Sequence, residues 1–107
     1  MMTNILFICS RNKLRSPTGE AVFASEPGIA ARSAGLAPDA EVRLSSEDIE
    51  WADIIFVMEN SHKRKLQQGF NNWVKNKKVV CLGIPDKYDF MDAELIEIFK
   101  ACVPKYL

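Results

Sequence analysis

Three cysteines in 107 residues, an odd number with no paired spacing, cannot build a disulfide framework. Such usage implies a reducing cytoplasm. Hydrophobic runs are short, and none approaches the ~20 apolar residues of a membrane-crossing helix. Ile5 to Cys9 leads straight into charged residues, which is not a signal-peptide layout. Neither charge sign is in excess, since 14 Lys and Arg stand against 14 Asp and Glu. That balance argues against a general nucleic-acid binder, which carries a basic surplus. There is one histidine and no His, Cys, Asp or Glu cluster at ligand spacing, so neither metal nor cofactor is expected. Repeats, linkers and low-complexity stretches are also missing. A single domain over 1–107 is expected, acting as a monomer without membrane or nucleic-acid partners.

What is present is an alternation of strand and helix signals. Asn4 to Cys9 is a continuous apolar run, as in a central parallel strand covered on both faces. Ser16-Pro17 opens a helix with proline in its first turn, and Ala21, Val22 and Phe23 are its expected core face. Glu26-Pro27-Gly28 ends it, and Ile29 to Ser33 is a second strand. Leu36 to Leu44 reads as loop, followed by a short helix with a Ser45–Asp48 capping box that ends near Trp51. Asp53 to Met58 is the third strand. Asn60 then caps a helix with Leu66, Phe70, Trp73 and Val74 on its apolar side. Lys78 to Leu82 is the fourth strand, Gly83 to Phe90 a loop, and a last amphipathic helix starts near Met91. Its stripe includes Leu95, Phe99 and Cys102. The pattern predicts an α/β fold, a parallel sheet with helices on both faces. Ligands of such sheets lie beyond the carboxyl ends of the strands.

Cys9 sits at one such end, with Arg15 closing the loop that follows. A strand-to-helix loop aims backbone N–H groups and a helix N-terminus at one point, which suits a phosphate. The same positive field favours a thiolate on Cys9. Arg15 adds a planar fork for two phosphate oxygens. The bare Cys-x5-Arg spacing is weak, arising by chance about 0.14 times in a chain of this composition. Its context between a buried strand and a Ser-Pro helix start gives it weight. The plainer readings are a structural cysteine ending a core strand and a surface arginine. Ser16 either caps the helix or donates to the Cys9 sulfur. Asn12 tolerates a positive φ. Asp86, Asp89 and Asp92 are candidate general acids, Asp92 being better placed as a helix cap. His62, beside Lys63, Arg64 and Lys65, is expected on a solvated helix face. Cys81 and Cys102 are expected in the core.

Cys9-Ser10-Arg11-Asn12-Lys13-Leu14-Arg15-Ser16-Pro17 resembles the phosphate loop C-x-G-N-x-C-R-S-P of the low-molecular-weight protein tyrosine phosphatases. Arg32-Ser33-Ala34-Gly35, Ala52 to Glu59, and Pro85-Asp86-Lys87-Tyr88 are further echoes in the same order. The resemblance implies strand order 2-1-3-4 in a three-layer sandwich. It also implies hydrolysis of phosphotyrosine or aryl phosphates through a phosphocysteine intermediate. Cys9 would be the nucleophile, Arg15 the oxyanion grip and Asp86 the general acid, with Asp89 in reserve. Ser10, Arg11, Asn12, Lys13 and Leu14 would cradle the phosphate, with Ser16 donating to the sulfur. Tyr88 would line the pocket mouth, or else anchor its loop. Arg11 replaces the family glycine and Leu14 its second cysteine, and the chain is shorter than a typical member. A phosphate- or phosphopeptide-binding module without catalysis, and a thiol-dependent arsenate reductase, are the alternatives.

Overall fold

Every residue from Ile5 to Cys9 is buried, which makes this run the middle of a sheet. The computed structural model describes residues 2–107. Strand β1 (Thr3–Cys9) lies between β2 (Ile29–Gly35) and β3 (Ile54–Val57), and β4 (Lys78–Cys81) adds to β3. All pairings are parallel and the order is β2-β1-β3-β4. Cys9 is in register with Gly35, and Ile8 with both Ala34 and Val57, so the strand ends converge on one edge.

The connecting helices are α1 (Arg15–Phe23), α2 (Ser46–Trp51), α3 (Asn60–Val74) and α4 (Ala93–Cys102), with a 3-10 turn at Pro104–Tyr106. Alternation along β1 splits the core in two. Ile5, Phe7 and Cys9 pack with Phe23, Leu95 and Phe99 of α1 and α4. Leu6 and Ile8 pack with Ile49 and Leu66 of α2 and α3. Phe7 is the hub of the first layer, with ring centroids 5.4 Å from Phe56, 5.9 Å from Phe23 and 5.3 Å from Phe99.

Several local expectations change. Ala21 is exposed, because Thr18, Gly19 and Phe23 supply the buried side of α1. Gly19 is there for closeness: a Cβ on it would lie 2.8 Å from the Phe7 ring. Asn60 is the first residue of α3 and Glu59 its cap. Trp73 is 41% exposed: α3 kinks at Phe70 (φ −133°), and in the turn that follows Val74 is the residue that enters the core. Cys81 and Cys102 are only half-buried. The Ser45–Asp48 capping box and the Asp92 cap of α4 both form. Among the described residues no helix is long and apolar enough to cross a membrane.

Two helical glycines should respond oppositely to alanine. At Gly69 a Cβ meets nothing within 4 Å, so Gly69→Ala should gain up to ~1 kcal/mol of helix propensity. At Gly19 the clash with the immobile Phe7 ring, about 1–3 kcal/mol, outweighs that gain. Urea midpoints that moved the same way for both variants would contradict this packing.

Candidate active site

Beyond Cys9 the chain turns through residues 10–14 before α1 begins. The carbonyls of this turn face a neighbouring segment. Cys9 O accepts from Leu36 N (3.0 Å), Ser10 O from Ala37 N (2.7 Å) and Arg11 O from Glu41 N (3.0 Å). No cis peptides occur among the described residues, so the N–H groups of Ser10, Arg11 and Asn12 point the other way. Asn12 N–H reaches the Cys9 sulfur at 3.3 Å. Asn12 itself has φ 57°, the left-handed turn that bends the loop back towards the helix. Gly35 permits the close approach of the neighbouring segment: a Cβ there would lie 2.6 Å from Ser10 O.

Around the sulfur the polar contacts form a short chain. Ser16 Oγ is 2.9 Å from Cys9 Sγ and accepts from Asn12 Nδ2 at 3.0 Å. With Asn12 as the donor to its oxygen, the Ser16 hydrogen is free to be given to the sulfur, an arrangement suited to a thiolate. Ser16 makes no capping bond, because the residue before α1 is Leu14. Arg11 has no positive φ, so a side chain in place of glycine strains nothing there. It extends into solvent, 4.0 Å from Asp39.

Arg15 is 4% exposed and held from behind. Nη1 donates to Ile84 O at 2.7 Å, and the Glu59 carboxylate lies 3.4 Å from both Nη1 and Nη2. On its remaining edge, Nε is 3.8 Å from Asp86 Oδ1. Cys9, Arg15 and Asp86 thus border one cleft of about 550 Å³, whose other walls are Ser10, Arg11, Lys13 and Leu14. Asn12 and Ser16 lie behind the loop rather than on the cleft wall. Of the three candidate acids only Asp86 borders the cleft, while Asp92 caps α4 and Asp89 is exposed elsewhere. Tyr88 is a correction to the expected pocket mouth. It is 6% exposed and joins the core with Ile84 and Leu95, because its loop folds back over the α4 layer.

His62 is the residue the sequence misplaced. It is 1% exposed, with Nδ1 accepting from Glu59 N–H at 3.2 Å. That bond assigns the proton to Nε2, which lies 3.1 Å from Ser10 Oγ and 3.3 Å from Glu59 Oε2. Glu59 and His62 therefore join the loop residue Ser10 to Arg15. Their signal was positional: both follow the carboxyl end of β3, the same edge as Cys9.

No protein-family model matches the sequence, and no curated protein matches it. Solved structures do. The low-molecular-weight protein tyrosine phosphatase of T. tengcongensis is 22% identical, with TM-score 0.76 over 96% of this chain and 99% of its own. Wzb of Vibrio vulnificus, in complex with benzylphosphonate, is 25% identical, with TM-score 0.75 over 98% of this chain and 99% of its own. The YwlE arginine phosphatase of Geobacillus stearothermophilus is 22% identical, with TM-score 0.75 over 97% and 92%. This chain has the fold of the low-molecular-weight protein tyrosine phosphatases. The aligned region runs across 92–99% of each of these neighbours.

Burial, and next the Arg15 charge, hold the His62 pKa below its ordinary 6.5, against the opposing pull of Glu59. The unfolded chain therefore takes up this proton first as pH falls. Stability is fully present above 6.5 and declines as pH drops through 6.5 towards the lower folded value. Melting temperatures taken from about pH 7 to about pH 5.5 should fall more steeply for the wild type than for His62→Gln. Parallel profiles would refute the assignment.

Proposed function

We propose that the chain is a cysteine-dependent phosphomonoester hydrolase acting on phosphotyrosine or related aryl phosphates. The observation that carries this reading is the convergence of the Cys9 sulfur, the Arg15 guanidinium and the Asp86 carboxyl on one cleft. A phosphate seated in the loop would meet the N–H groups of residues 10–12 and the fork of Arg15.

In the first step the Cys9 thiolate attacks phosphorus, and the bond to the leaving phenol oxygen breaks. Asp86, entering as the acid, gives that oxygen its proton. Arg15 and the loop N–H groups hold the equatorial oxygens as charge spreads over them. In the second step Asp86 accepts a proton from water. The resulting attack on phosphorus breaks the S–P bond and releases inorganic phosphate. Sulfur departs as a thiolate, received by the Ser16 hydroxyl and the Asn12 N–H. Leu14 in the cleft wall and the open mouth suit a planar aromatic leaving group.

The purely binding module loses its main support, since Arg11 imposes no left-handed strain on the loop. One of the structural neighbours acts on phosphoarginine by its name. The rim here carries Arg11 and Lys13, which favours an anionic ester over a substrate with cationic character.

Turnover of p-nitrophenyl phosphate at mildly acidic pH tests the reading. Cys9→Ser should abolish it, and Asp86→Ala should lower kcat by about 10²–10³. Ser16→Ala should slow breakdown of the phosphoenzyme more than its formation, so phosphorylated protein accumulates after rapid quenching. Phosphate binding with no turnover by the wild type would overturn the hydrolase.

A further inference from the structure

Neutral net charge conceals a segregation. From Asn60 to Pro85 there is no Asp or Glu, yet Lys63, Arg64, Lys65, Lys75, Lys77 and Lys78 all fall within it. The remaining residues hold 8 cations against 14 acids. Structure gathers this segment onto α3 and β4, an edge strand of the sheet. Among the described residues none of the six forms an ion pair with a carboxylate.

Lys63, Gln67 and Asn71 on α3 and Lys75 at its C-cap recur every fourth residue, forming one stripe. They wall a groove of about 370 Å³ whose other side is Lys77 and Val79. The stripe begins one residue beyond His62, at the active-site end of α3, and runs about 18 Å away from it. Lys77 Nζ is tied to the carbonyls of Glu50 (3.0 Å) and Ala52 (2.7 Å), which fixes one cation at the far end. Lysines on a sheet edge discourage strand-to-strand aggregation, but that accounts for Lys78 and not for the helix.

We infer that the α3–β4 groove is a docking surface for an acidic, extended polypeptide segment. Lys63, Lys75 and Lys77 supply point charges for carboxylates, and the Gln67 and Asn71 amides supply donors between them. Nucleic acid fits less well. The exposed aromatic beside the groove, Trp73, has its indole N–H bound to Glu50 Oε1 at 3.2 Å and its ring against Phe70. The Glu50 carboxylate on that rim repels a phosphate backbone. This surface is independent of the chemistry at Cys9.

The test is fluorescence anisotropy of a labelled glutamate-rich peptide, a lysine-rich peptide of equal length and a single-stranded oligothymidine. The wild type should bind the acidic peptide in preference to both others, and raising salt from about 50 to about 300 mM should weaken binding about tenfold. The double variant Lys63→Gln, Lys75→Gln should lose about tenfold in affinity. Lys100→Gln, on the opposite layer, should lose nothing. p-Nitrophenyl phosphate turnover and the melting temperature should be unchanged in all of them, which separates lost docking from misfolding. Absent binding of the acidic peptide, equal binding by the double variant, or tighter binding of the oligothymidine would each overturn the proposal.

Discussion

Three backbone carbonyls set the character of the site. Cys9, Ser10 and Arg11 surrender their oxygens to the N–H groups of Leu36, Ala37 and Glu41, and planar trans peptides then force the opposite N–H edge inward. Without that ladder the loop could present carbonyl oxygens to the cleft, and an anion would be repelled. The ladder in turn requires Gly35, where any Cβ would strike Ser10 O. A glycine on β2 thus controls the electrostatics of a loop attached to β1. Parallel pairing in register, Cys9 opposite Gly35, delivers that contact.

The second constraint is the burial of a guanidinium. Arg15 is enclosed, and a buried cation without partners is destabilising by several kcal/mol. Its partners come from distant parts of the chain: Glu59 follows β3, and Ile84 and Asp86 follow β4. Only the order β2-β1-β3-β4 sets those strand ends beside the β1 loop. The sheet and the site are therefore one solution. His62 adds a neutral donor that spans Glu59 and Ser10, coupling the arginine clamp to the loop without adding charge. Asp86 differs from Glu59 in being largely exposed, so it is free to change partner while Glu59 holds the arginine in place.

Fold class was legible because the apolar run from Ile5 to Cys9 and the alternating helix signals leave few other topologies. Cys9, Arg15 and Asp86 were legible because each belongs to a local motif or follows a strand end. His62 was not, since three adjacent cations made its neighbourhood read as solvated surface. The capping geometry of Glu59 turned its ring inward, and no local pattern reports which way the first turn of a helix will face. Tyr88 failed for a related reason. Asp86 of its motif reaches the cleft, whereas its own ring is drawn under the loop by the apolar layer of Leu95 and Ile84. Ala21 was misread because Gly19 carries no apolar signal, although it faces the sheet so closely that a Cβ on it would lie 2.8 Å from the Phe7 ring.

Arg11 shows how a departure from a motif should be weighed. Glycine at that position raises two separate demands, a backbone angle and a space. Here the left-handed residue is Asn12, one place later, so the angle is already supplied. Space is supplied as well, because the Arg11 side chain leaves the loop towards Asp39 and solvent. What remains is charge: a guanidinium at the rim beside Lys13, added to the buried one at Arg15. With Asp86 as the one carboxyl on the cleft wall among the described residues, the local field attracts anions although the whole chain is neutral. The same reasoning holds for α3, where charge summed over the chain says nothing and charge placed on a surface says a good deal. Net charge describes solubility; recognition depends on where the charges stand.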